Sequence, residues 1–146
     1  MDFWVLKVDN TGNKVWEKAY GGNMNDIPYG IIKSRDGNYV IYGSIGTNNR
    51  PTGDPGLGDI SQGDILINPG EESDREGPTD IWLLKIDPNG NKIWDQRYGT
   101  TTLDVINSLV ETNDGGFLIG STNFAASPNN TLTKTPVGTS DFWVIK

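Results

Sequence analysis

The 146-residue chain carries a net charge of −7, is 34% hydrophobic, holds 19 glycines, and contains neither cysteine nor histidine. Disulfides and thiolate chemistry are thereby excluded, and the commonest general base and transition-metal ligand are missing. No basic cluster offers a footprint for nucleic acid, and no apolar run approaches the roughly 18 residues of a membrane span.

Taken from the N-terminus, residues 3–8 alternate, with Trp4, Leu6 and Val8 on one face and Phe3, Val5 and Lys7 on the other. That period of two predicts a strand. Asp9-Asn10-Thr11-Gly12 predicts a turn, and 14–20 a second strand carrying Trp16 and Tyr20, broken by Gly21-Gly22. A third strand is expected at 29–34, a hairpin turn at Arg35-Asp36-Gly37-Asn38, and a fourth strand at 39–45. Met1 is followed at once by the first strand, so no signal peptide is expected and the chain reads as a fragment of something longer.

Residues 46–79 differ in character. They carry seven acids against Arg50 and Arg75, which places −5 of the net charge in one glycine-rich stretch. Asp54, Asp59 and Asp64 recur every five residues there, and 71–76 adds further carboxylates. Clustered oxygens on a long loop are the chemistry that Ca²⁺ prefers, so these three are the candidate metal ligands. Their spacing matches neither an EF-hand loop nor a glycine-aspartate nonapeptide repeat, and a solvated loop conferring solubility is the competing expectation.

From residue 80 the chain repeats itself. Aligning 2–41 on 80–119 without a gap gives 15 identities in 40 positions. The predicted strands are 81–86, 92–98, 106–112 and 117–122, with turns at Pro88-Asn89-Gly90 and Asn113-Asp114-Gly115-Gly116. Residues 125–140 form a second loop, almost uncharged with Lys134 alone, in which Asn129-Asn130-Thr131 is a glycosylation sequon. Residues 141–146, Asp-Phe-Trp-Val-Ile-Lys, then open the repeat a third time. The organisation is therefore 1–45 (first repeat), 46–79 (acidic loop), 80–124 (second repeat), 125–140 (second loop) and 141–146 (first strand of a third repeat).

Four short antiparallel strands in about 45 residues is the unit of a β-propeller blade. The predicted class is all-β, with a β-sandwich or β-solenoid as the competing folds. The pattern Asp-x-Trp-(Val/Leu)-Leu-Lys-(Val/Ile)-Asp-x-x-Gly-Asn-Lys-x-Trp resembles propeller repeats of large secreted and surface proteins of the Bacteroidetes. Its Asp-x-x-Gly-x-x-x-Trp core (Asp9, Gly12, Trp16; Asp87, Gly90, Trp94) looks like the tryptophan-docking motif of quinoprotein propellers. The resemblance implies that 3–20 is the outer half of one blade. It implies that 29–45 with 81–98 makes a whole blade, and that 106–122 with 142–146 makes a third lacking its outermost strand. Both loops then emerge on one side of the disc, where repeat proteins place their binding segments.

All five tryptophans (Trp4, Trp16, Trp82, Trp94, Trp143) occupy recurrent repeat positions, so each is expected to pack between blades rather than to stack on sugars. Asp9, Asp87, Asp36 and Asp114 head glycine turns and are expected to fix them, with Asp26 and Asp104 capping a loop in the same way. Residues repeated once per blade spread around a ring, so no catalytic site and no cofactor beyond Ca²⁺ are expected. A quinoprotein-like dehydrogenase would need a complete ring, and a glycoside hydrolase a facing carboxylate pair. The expected function is a non-enzymatic extracellular or cell-surface segment that scaffolds, adheres or binds glycan or a surface protein. The alternative is a structural subunit that pairs head to tail with other copies by strand complementation, into a ring or a filament.

Overall fold

The computed structural model describes residues 2–21, 25–46, 79–99, 103–123 and 140–146, and the structural statements below refer to these. They form nine strands and no helix: β1 (Phe3–Val8), β2 (Lys14–Tyr20), β3 (Asp26–Lys33), β4 (Tyr39–Gly46), β5 (Thr79–Ile86), β6 (Lys92–Tyr98), β7 (Asp104–Glu111), β8 (Phe117–Asn123) and β9 (Asp141–Ile145). All pairing is antiparallel, in sheets ordered β1-β2, β3-β4-β5-β6 and β7-β8-β9. The middle sheet therefore joins the second strand pair of the first repeat to the first pair of the second.

Four turns connect the hairpins in the same way. Gly12, Gly37, Gly90 and Gly115 all have φ between 77° and 87°, a conformation that costs any residue with a Cβ. In each turn the glycine N–H donates to a carbonyl three residues back, as from Gly12 to Asp9 at 3.1 Å and from Gly90 to Asp87 at 3.0 Å.

The strands expected at 29–34 and 106–112 begin earlier, at Asp26 and Asp104. The Asp26 carboxylate accepts the Gly46 N–H at 3.2 Å and prolongs the β3–β4 ladder to Ile45. Pro28 is tolerated within β3 because β3 is an edge strand, and a bulge follows it between Pro28 and Gly30. The matching bulge in β7 lies between Ile106 and Ser108.

The middle sheet is apolar on both faces. Toward the first sheet it presents Ile41, Ile45, Trp82, Leu84 and Ile86, which pack with Phe3, Val5, Trp16 and Tyr20. The Phe3 and Trp82 rings lie 4.6 Å apart. Toward the third sheet it presents Val40, Ile81 and Leu83, which pack with Ile106, Leu109, Phe117, Ile119 and Ile145. Three sheets are thus layered on two apolar seams.

Polar contacts fix how the layers sit. The Trp16 Nε1–H and the Lys7 ammonium both donate to the Pro88 carbonyl, at 3.1 and 2.9 Å, and the Tyr20 hydroxyl donates to Gly90 O at 2.6 Å. The first sheet thereby clamps the β5–β6 turn of its neighbour. On the other seam, Glu111 accepts from the Ser34 hydroxyl and the Arg35 N–H, at 3.0 and 2.9 Å.

Two substitutions separate these contributions. Gly12→Ala meets no neighbouring atom within 4 Å and is expected to cost only the backbone strain, about 1 kcal/mol. At Gly90 a Cβ would lie 3.1 Å from the Trp16 ring, so Gly90→Ala should cost measurably more in urea unfolding. Trp82→Ala is expected to cost about 3–5 kcal/mol, whereas Trp4→Ala, at the equivalent position of an open face, should cost less than about 1 kcal/mol.

Candidate functional site

The turn aspartates act on their own backbone. Asp9 Oδ1 accepts the Thr11 hydroxyl at 2.7 Å and the Thr11 and Asn13 N–H groups at 2.9 Å each. These bonds, the hydroxyl's first, hold its carboxyl down to about 2. Asp87 is lowered likewise, chiefly by the Asn91 N–H. Asp36 and Asp114 lie well below the usual carboxylate range, held first by the ammonium groups of Lys85 and Lys146 and then by turn N–H or hydroxyl donors. All four are charges committed to turn geometry, three of them exposed and Asp87 half-buried.

A second set of aspartates was not singled out from the sequence as a group. Asp26 and Asp104 are fully buried, and each meets a partner from the preceding sheet beside a glycine. A Cβ placed on Gly99 would lie 2.1 Å from Asp80 Oδ1 and 3.0 Å from Asp104 Oδ2. On Gly21 it would lie 2.3 Å from Asp26 Oδ2 and 3.0 Å from Asp2 Oδ1. Two carboxylates from adjoining sheets therefore converge on each of these glycines, where a Cβ would collide with them. The recurrence of aspartate at 2 and 80, before the tryptophan, and of glycine at 21 and 99 is the sequence signal for it.

Burial pushes the Asp80 carboxyl up to about 7, the nearby Asp104 charge adds to the rise, and Arg97 only partly offsets it. Asp104 Oδ1 accepts the Asn123 side-chain amide at 2.6 Å. Arg97 sits half-buried among the charges of Asp80, Asp95 and Asp26, and its Nε and Nη2 find no acceptor among the described residues. Asp95 is committed to the Trp82 Nε1–H and the Lys92 ammonium, each at 3.2 Å. Chemically this end of the seam is a carboxyl that burial and a second carboxylate drive toward its protonated form, beside a half-buried guanidinium.

The layering also leaves two apolar faces open. Trp82, Leu84 and Ile86 are at most 4% exposed, whereas their repeat counterparts Trp4, Leu6 and Val8 are 64, 45 and 49% exposed. Ile81 and Leu83 are at most 2% exposed, against 69 and 59% for their counterparts Phe142 and Val144. Each exposed set belongs to a sheet that lacks a neighbour on that side among the described residues. Between β6 and the third sheet a cleft of about 550 Å³ is lined by Leu83, Trp94, Tyr98, Phe117 and Ile145.

Of the tryptophans expected between layers, Trp82 is buried, Trp16 is clamped on Pro88, and Trp94 packs edge-on to Phe117 with ring centroids 6.0 Å apart. Trp143 is half-buried on β9, and Trp4 lies on the open face of the first sheet. The candidate calcium ligands Asp54, Asp59 and Asp64, and the sequon at Asn129, lie outside the described residues. Among the described residues no group of three or more acidic side chains converges to hold a metal ion, and no helix is long and apolar enough to cross a membrane. Neither a family model nor a curated protein matches the chain.

The raised carboxyl of Asp80 makes stability depend on pH. Its folded value exceeds its unfolded value of about 4, so its contribution is full below that value and is lost as pH rises through about 7. Asp80→Asn should therefore flatten the decline in stability between pH 5 and pH 8. It should leave the variant more stable than the parent at pH 8, by urea unfolding at both pH values.

Proposed function

We propose that the chain is a non-enzymatic segment of a β-propeller-like scaffold, built to be packed on both sides by further sheets of its own kind. One observation carries this. The residues that seal the two internal seams recur, at the same repeat positions, on the two open end faces. A soluble chain that ended its layering there would gain by polar residues at these positions. The turn aspartates in both repeats, and the tryptophan clamp of the first, give these recurrent residues a structural reason.

The extracellular or cell-surface setting, and adhesion to a glycan or surface protein through residues 46–79 and 125–140, rest on the resemblance to secreted propeller repeats. Calcium at Asp54, Asp59 and Asp64 would serve that role by ordering the acidic stretch. If so, Ca²⁺ should raise the melting temperature of the chain, and replacing all three aspartates with alanine should abolish the rise.

A second function is favoured by the complementarity of the two open faces: copies of the chain assemble head to tail. Such pairing is heterologous and yields a ring if its rotation closes and a filament if it does not. Light scattering across a concentration series tests it. The chain should gain mass with concentration, and Trp4→Glu with Leu6→Glu should return it to monomer with an unchanged circular dichroism spectrum. A chain that stays monomeric throughout would discard assembly and leave a segment of a longer propeller.

A further inference from the structure

The guanidinium of Arg97 is out of balance with its surroundings. Its buried Nε and Nη2 form one edge of the group, the edge that a carboxylate takes with two parallel hydrogen bonds. Neither has an acceptor among the described residues, and donors left unmatched inside a fold are costly. The carboxylates in its field are those of Asp80, Asp95 and Asp26. Asp95 is held by the Trp82 Nε1–H and the Lys92 ammonium, and Asp26 accepts the Gly46 N–H. Asp80 faces Gly99 instead, where it meets Asp104 of the third sheet.

The strand register offers Asp80 a second position. Trp82 pairs with Arg97 and Ile81 with Tyr98 across β5 and β6, so Asp80 and Arg97 are diagonal neighbours on one face of the sheet. Asp104 is anchored where it stands: its Oδ1 accepts the Asn123 amide at 2.6 Å, and its carbonyl accepts the Thr79 hydroxyl at 3.4 Å. The first repeat lacks the alternative, because Ala19 stands where the second has Arg97. The two ends of the seam between the middle and third sheets also differ. At the end that carries the glycine turns, Ser34 and Arg35 donate to Glu111, to the Thr112 carbonyl and to Asn113. At the far end, where β5 and β7 begin, the carboxyls of Asp80 and Asp104 face each other.

We propose that Asp80 is a two-position switch. Protonated, it rests against Asp104 and closes the far end of the seam. Ionised, it swings to the Nε–Nη2 edge of Arg97 and lets that end open about the tied turn end. One movement relieves two unfavourable features: the like charges over Gly99 separate, and the guanidinium edge gains its acceptors. A contact between sheets is exchanged for one within a sheet, so the middle sheet tightens as the seam slackens. The proton is lost in the physiological range, because burial first and the Asp104 charge second push the Asp80 carboxyl up to about 7. The charged groups facing Asp80 are Arg97 from β6 and Asp104 from β7. Asp95 on β6 and Asp26 on β3 act on it through Arg97, whose field they share in either position. The switch works within a single chain and is independent of how many sheets flank these three.

Nuclear magnetic resonance on the full chain tests it, following the Asp80 carboxyl carbon and the Arg97 Nε–H from pH 5 to pH 8. The carboxyl should titrate above about pH 6. The Arg97 Nε–H should shift downfield with the same midpoint and exchange with water about threefold more slowly once Asp80 is ionised. Backbone amide exchange, corrected for its intrinsic pH dependence, should quicken about threefold or more at the Asp104 end of β7 and the Asn123 end of β8, while β1 and β2 keep theirs. Asp80→Asn, which mimics the protonated form, should abolish all three changes. If that variant does not fold, the titration of the parent chain decides alone. An Asp80 carboxyl that titrates near its ordinary value of about 4 overturns the switch. So does an Arg97 signal that stays still while Asp80 titrates, because the carboxylate has then not moved. Exchange that quickens equally in all three sheets means general loosening and overturns the opening of this one seam.

Discussion

A sheet that is apolar on both faces cannot stand alone, and the whole molecule answers to that constraint. The middle sheet alternates Trp82, Leu84 and Ile86 with Ile81 and Leu83 along one strand, so β5 faces a partner on either side. Burying one such side chain contributes roughly 1.5–3 kcal/mol, and two seams of them exceed what any single turn or ion pair supplies. Everything else in the structure positions or limits that burial.

The hydrogen bonds between layers set alignment rather than adhesion. Three donors on the first sheet, from Lys7, Trp16 and Tyr20, converge on two carbonyls of one turn. Apolar faces tolerate sliding, but a ring N–H aimed at a carbonyl does not. The positive φ of Gly90 presents that turn, and the absence of a side chain there lets the Trp16 ring approach. The carboxylate pairs at the far end of the seams work differently. They place like charges together where only glycine leaves space, and the price is a proton held at Asp80 near neutrality.

Much of this was legible in the sequence, for local reasons. Alternation at 3–8 and the Asp-x-x-Gly turns depend on neighbours within a few residues, and the strands and turns they indicate are those seen, whereas the grouping of strands into sheets of two, four and three was implied by the resemblance alone. Strand starts were less legible. Asp26 and Asp104 extend β3 and β7 through contacts that span a hairpin, which no window of sequence displays. Trp4 and Trp82 share one motif but differ completely in exposure, because burial depends on whether another sheet stands opposite. The Asp80–Asp104 pair escaped for the same reason: its members lie 24 positions apart and meet only once two sheets are layered. The acidic stretch that carried the metal expectation lies outside the described residues, so the sequence remains its whole basis.

The proline in β3 bears on how such a module avoids misassembly. β3 is the exposed border of the middle sheet, and Pro28 followed by a bulge interrupts its ladder of donors and acceptors. A strand from a stray chain therefore finds no continuous template there, and lateral widening into a cross-β ribbon is obstructed. A single imino acid thus blunts one of the sheet's two borders, the other being β6.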